Sequence, residues 1–207
     1  MLAVVESHSA QLPAAARWKL TREDCRALEA TGRLEWERYE LIDGELIRKL
    51  SKSRLHSNAL RRLCEWMRLV FGPENVDQEV PIDLSPLLNA TNEPEPDAIA
   101  LRRPAGELGA SNPAPPDLLL VAEVCATTQD YDLGVKAALY ASAGIAEYWV
   151  VDVRNMRIVV HRDPIGERYA SVVAYAADEA VSPLAAESAS IRLVDLVGER
   201  YVRNSRT

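Results

Sequence analysis

From about residue 18 onward, the spacing of apolar positions alternates between helix-like and strand-like periods. Thr21-Arg22-Glu23-Asp24 opens a helix with a variant capping box, and Gly32 stops it. Residues 39–42, Asp43-Gly44 and residues 45–47 predict a hairpin, because Asp-Gly accepts the positive φ angles of a tight turn. His56, Leu60, Leu63, Met67 and Val70 form one stripe at three- and four-residue spacing, so a helix is expected over about 53–71. Residues 76–84 place Val76, Val80, Ile82 and Leu84 on one side and predict a half-buried strand. A Pro- and Asn-rich loop over 85–96 leads to a short strand at 97–101. Residues 118–124 are apolar on both faces except at Glu123, the mark of a covered central strand. A helix over 131–143 ends at Gly144, and 148–153 is another near-continuous apolar strand. A meander over 156–161 and 169–175 turns at Pro164-Ile165-Gly166; a weakly patterned stretch then precedes a last short element at 191–196.

This order of elements predicts a single α/β domain around a mixed central sheet flanked by helices, spanning about 18–200. Residues 1–17 read as a flexible leader and 201–207 as a tail. A chain of 207 residues buries roughly 70% of its unfolded surface, so it needs neither disulfides nor a structural metal to fold. Three scattered cysteines with no C-x-x-C fit a reducing compartment. No signal peptide is recognisable, and no apolar run approaches the ~20 residues of a membrane span, so a cytoplasmic protein without membrane partners is expected.

Charge changes the picture. The net value is −7, which excludes a uniformly basic nucleic-acid coat. Yet residues 48–68 carry seven basic side chains and one acidic, a local +6 that leaves −13 for the rest. Arg48, Lys49, Lys52, Arg54, Arg61 and Arg62 are therefore the candidate contacts to a polyanion such as DNA. An ordinary solvated helix face would look the same from charge alone.

Glu123 carries the chemistry. An ionised carboxylate inside an apolar central strand costs several kcal/mol unless it is paired or metal-bound. Asp97 has a similar setting, after Pro94-Glu95-Pro96 and at the mouth of a short apolar strand. Carboxylates on neighbouring strands can share a hard cation such as Mg²⁺. Lys136 follows on the next helix, where a surface pair with Asp132 four residues earlier is the plain alternative. His56 lies on its helix's apolar stripe, where a histidine is more often a core residue than a ligand, and Tyr148 and Trp149 read as core.

Six blocks in order carry a family resemblance: Tyr39-Glu40-Leu41-Ile42-Asp43-Gly44-Glu45-Leu46, His56-Ser57, Pro94-Glu95-Pro96-Asp97, Leu118 through Val124, Tyr131-Asp132 with Gly134-Val135-Lys136, and Tyr140 with Gly144 through Asp152. Together they resemble the Uma-two family, within the PD-(D/E)XK restriction-endonuclease-like superfamily, over about 20–175. The resemblance implies a restriction-endonuclease-like sheet whose central acids bind Mg²⁺, or Mn²⁺, for phosphodiester hydrolysis. It makes Asp97 the PD aspartate, Glu123 the following acidic ligand and Glu40 the early acid that completes the shell. The superfamily lysine normally stands two residues after the second acid, where this chain has Cys125; in this family it resembles Lys136 instead. Serine is usual where Cys125 stands, and proline where Ala146 stands. His56, Asp132 and Cys125 are then expected to border the site and orient its ligating groups. The expected function is a Mg²⁺-dependent endonuclease acting on DNA, with a homodimer compatible with two-strand cleavage. The alternatives are a non-cleaving nucleic-acid-binding or regulatory module on the same fold, and a structural protein whose carboxylates only form internal ion pairs.

Overall fold

The computed structural model describes residues 18–199 together with 201 and 202. The expected leader at 1–17 and the end of the tail lie outside the described residues. Tyr201 and Val202 are helical, and Val202 packs into the core.

A six-stranded mixed sheet organises the chain in the order β3 (Val76–Asp77), β4 (Ala98–Leu101), β5 (Leu118–Cys125), β6 (Glu147–Asp152), β7 (Arg157–Ile165) and β8 (Arg168–Ala176). Only β5 and β6 pair in parallel, with Glu123 opposite Val150; every other neighbour is antiparallel. The single parallel pair requires a crossover, which the helical segment 131–142 provides.

Alternation along the strands sorts the core into two layers. Ala98, Ala100, Leu120, Ala122, Val124, Trp149, Val151 and Val160 face α2 (Arg54–Phe71) and α5 (Leu193–Val197). Ile99, Val121, Cys125, Tyr148, Val150 and Val159 face the crossover helix through Tyr140, Ala141 and Ile145. Trp149 stacks on Trp66 with centroids 6.0 Å apart, and Tyr148 meets Tyr140 edge-on at 4.9 Å, so both aromatics are core residues as expected.

Four expectations change. The strand over 76–84 is only Val76–Asp77: Glu79 has a φ of 53° and Pro81 carries no N–H, so the ladder breaks while Ile82 and Leu84 still bury their side chains. The loop over 85–96 holds one helical turn, α3 (Pro86–Asn89), capped by Ser85. The helix at 131–143 starts as a π-helical turn, Tyr131–Lys136, before becoming α4 (Ala137–Ser142) and ending at Gly144 with φ 75°. Asp97 immediately precedes β4 and is not itself in the strand.

The capping box of α1 (Arg22–Ala30) forms as expected between Thr21 and Asp24. The hairpin β1 (Tyr39–Ile42) and β2 (Glu45–Arg48) turns through Asp43 and Gly44, with φ of 49° and 75°. It docks through Glu93 N–H donating to the Leu41 carbonyl (2.7 Å) and Asp43 N–H donating to Asn92 Oδ1 (2.6 Å). A Cβ at Gly44 would lie 2.5 Å from Lys19 Cβ and 2.9 Å from its Cα. Gly44→Ala is therefore expected to cost about 1–3 kcal/mol in urea unfolding, and a value near zero would show that the hairpin dock is loose.

Candidate active site

Strand β5 places Glu123 on the crossover-helix face, two residues from the strand end and 4% exposed. Its Oε1 accepts from Lys136 Nζ at 2.7 Å and from the Tyr140 hydroxyl at 3.2 Å. Its Oε2 accepts from the Asp97 N–H at 3.3 Å. Asp97 in turn accepts from the Val124 N–H at 2.8 Å and from Lys52 Nζ at 2.9 Å, with His56 Nε2 at 3.5 Å. Asp97, at the entrance to β4, and Glu123, on β5, are thus joined through the Asp97 N–H, and each carboxylate is held by a different lysine.

Lys136 is also 4% exposed, and its ammonium reaches Glu40 Oε2 at 3.0 Å as well as Glu123. It does not form the surface pair with Asp132; that carboxylate, equally buried, accepts from the Thr128 hydroxyl at 2.5 Å. Glu40 is brought in by the docked hairpin and accepts from the Glu95 N–H at 3.3 Å. These groups open onto a cleft of about 800 Å³, whose mouth carries Arg48, Lys49 and Lys52. Lys49 pairs with Glu95 at 2.5 Å, and Lys52 reaches Glu79 as well as Asp97.

Not every expected contact converges here. Arg54, Arg61 and Arg62 do not line the cleft: Arg61 pairs with Glu65 on its own helix, and Arg62 donates to the Asp195 carbonyl. Cys125 does not line it either; it is fully buried among Val121, Tyr148 and Val150, and burial pushes its thiol up. The sequence reading also missed Tyr140 as a donor to Glu123, although it stands four residues after Lys136 on the same helix face. Lys52 was expected only as a polyanion contact, and its pairing with Asp97 has no local sequence signal.

Electrostatics separates the two acids. Burial alone would raise Asp97, but His56, Lys52 and the Val124 N–H hold it well below the usual carboxylate range. Burial, reinforced by Asp97, Asp132 and Glu40, pushes Glu123 up despite Lys136. Burial would lower Lys136, but Glu123, Tyr140, Glu40 and Asp132 outweigh it, so the ammonium stays protonated.

Asp132 is pushed up to about 6, chiefly by burial. A carboxyl whose folded pKa exceeds its unfolded value binds more protons when folded, so its contribution to stability grows as the pH falls from 7 toward 4. Asp132→Asn is expected to raise stability at pH 7 by roughly 1–3 kcal/mol and to flatten that dependence in thermal melts from pH 4 to 8. Identical wild-type and variant pH profiles would refute this.

A family model described as "Putative restriction endonuclease", Uma2, matches residues 22–193. The chain belongs to the Uma2 family. Among solved structures, the chain is similar to "a putative nuclease belonging to DUF820" from Anabaena variabilis ATCC 29413, with a TM-score of 0.60 and 18% identity over 82% of this chain and 96% of that one. That likeness supports the fold: a mixed sheet flanked by helices, as in a nuclease-like neighbour. No curated protein matches the sequence. No helix among the described residues is long and apolar enough to cross a membrane.

Uma2 membership implies a nuclease-like fold and raises the question of a divalent metal. Among the described residues no three His, Cys, Asp or Glu side chains converge as a ready-made metal cage. The donor set still fits a hard cation. Mg²⁺ takes one or two carboxylates and leaves its other positions to water and substrate phosphate, and Asp97 and Glu123 supply such a pair at the cleft.

Proposed function

We propose that this Uma2 protein is a metal-dependent endonuclease that hydrolyses phosphodiester bonds in DNA, with Asp97 and Glu123 holding Mg²⁺ or Mn²⁺. The observation that carries the reading is Lys136: a buried ammonium 2.7 Å from Glu123, delivered by the crossover helix into the cleft that Asp97 also lines, while Cys125 stands where the superfamily resemblance places its lysine. A bound divalent cation would supply Lewis acidity and a water of lowered pKa there. Lys136, kept protonated by its acidic neighbours, serves as a donor to charge developing on the phosphoryl group and not as a base. Glu40 holds that ammonium from the hairpin side, and Tyr140 fixes the Glu123 carboxylate. Arg48, Lys49 and Lys52 at the cleft mouth suit contact with the DNA phosphates.

The test is cleavage of supercoiled plasmid with Mg²⁺ or Mn²⁺. Wild type should nick or linearise it, and Asp97→Ala/Glu123→Ala should not. Salt-dependent DNA binding without turnover under either metal would replace the nuclease with a non-cleaving binding module. A homodimer would place two such sites against two strands, and sedimentation of the full chain decides whether one forms.

A further inference from the structure

Among the described residues, three buried side-chain polar atoms have no hydrogen-bond partner: His56 Nε2, Asn75 Oδ1 and Tyr131 Oη. Two of the three residues line the same cleft, His56 and Tyr131. His56 Nε2 at least faces Asp97 at 3.5 Å. Tyr131 Oη has no such neighbour within bonding distance, although Lys136, Glu40, Asp132 and Glu123 all lie close enough for their charges to act on it. Carboxylate oxygens of Glu40, Glu123 and Asp132 already accept from Lys136, Tyr140, Thr128 or backbone N–H groups. An unpaired buried hydroxyl lowers stability, so a group that satisfies it on binding recovers the full worth of the bond.

We propose that the Tyr131 hydroxyl is a substrate-binding donor that holds a non-bridging phosphate oxygen in the cleft beside Lys136. The identity of that ligand as a nucleic-acid phosphate rests on the nuclease reading; the need for an acceptor does not. A neutral O–H next to an ammonium suits an oxyanion, and the basic cleft mouth leads a phosphate chain toward it. Burial raises the phenol, so it remains a donor throughout the working pH range. Its place is set by the π-helical turn, which also supplies Asp132 and Lys136 and is anchored by Tyr131 N–H donating to the Thr128 carbonyl at 3.0 Å. Widened turns of this kind concentrate at functional sites.

Tyr131→Phe removes only the oxygen and separates a ligand role from a structural one. In thermal melts without ligand, the variant should be as stable as wild type or more stable, since it loses an unpaired polar atom. In calorimetric titration with inorganic phosphate in the presence of Mg²⁺, it should bind about ten-fold more weakly or worse. A lower melting temperature would overturn the proposal by revealing a structural partner for the hydroxyl, such as an internal water. Equal phosphate affinity in the two proteins, or no binding to either, would overturn it as well. If wild type fails to cleave plasmid yet binds phosphate through Tyr131, the subsite stands and the nuclease reading falls.

Discussion

Replacing Lys136 with methionine is expected to lower stability by about 3–5 kcal/mol and to reduce DNA cleavage by about 10²–10³-fold. Methionine fills much of the same apolar volume, so packing is largely kept and the loss is electrostatic. What remains is Glu123 and Glu40 facing each other in a buried site, with the ammonium that stood 2.7 and 3.0 Å from them removed. Stranding one partner of a buried pair costs far more than the pair contributes, because the remaining charge cannot be rehydrated. The double variant Lys136→Met/Glu123→Gln should recover about 1–3 kcal/mol of the loss without restoring cleavage. Urea unfolding of wild type, Lys136→Met, Glu123→Gln and the double variant closes this cycle. A midpoint for Lys136→Met equal to wild type would mean that water screens the ammonium, and the buried-donor role would fail with it.

Asp97→Asn should weaken Mn²⁺ binding at least ten-fold in calorimetry while leaving the sheet intact by circular dichroism. It should also change acid stability in a defined direction. The folded-state pKa of Asp97 lies below its unfolded value, so its contribution to stability is fully present above about pH 4 and is lost as the pH falls through the folded pKa. The variant should accordingly be less stable than wild type at pH 7 by roughly 1.5–3 kcal/mol, the worth of hydrogen bonds to a charged group, with the gap narrowing below pH 4. Asp132 moves the other way over pH 4 to 7, because burial outweighs the pull of the Lys136 charge and raises it. A gap for Asp97→Asn that widens in acid would show that Lys52 and His56 do not stabilise its charged form. Unchanged Mn²⁺ affinity would remove Asp97 from the metal site.

Some of this was determined by the sequence alone. A charged residue in a doubly apolar strand is costly enough to announce itself, which singles out Glu123. The Pro-rich approach marks Asp97, the Asp-Gly turn marks the hairpin, and period-two and period-3.6 patterns mark β5, β6 and α2. Each of these signals is local, so it survives without knowledge of the fold. Where local signals compete, the reading fails: the alternation of 76–84 looks like a strand, but Pro81 and the left-handed Glu79 end the ladder after Asp77.

Convergence was decided by the tertiary structure. Glu40 reaches Lys136, 96 positions away, only because Leu41–Asp43 dock on 92–93. Lys52 was one cation in a basic run until β4 and α2 brought it to Asp97, and Arg61 and Arg62 in the same run turn elsewhere. Tyr131 stands in one of the blocks that carry the family resemblance, but nothing in the sequence gives its hydroxyl a role; that comes from being buried among charges without an acceptor. Residue types and local periods follow from short-range sterics and hydrophobicity, which the sequence carries. Partner choice depends on strand order and on how helices pack across the sheet, and those are set by contacts between segments far apart in the chain.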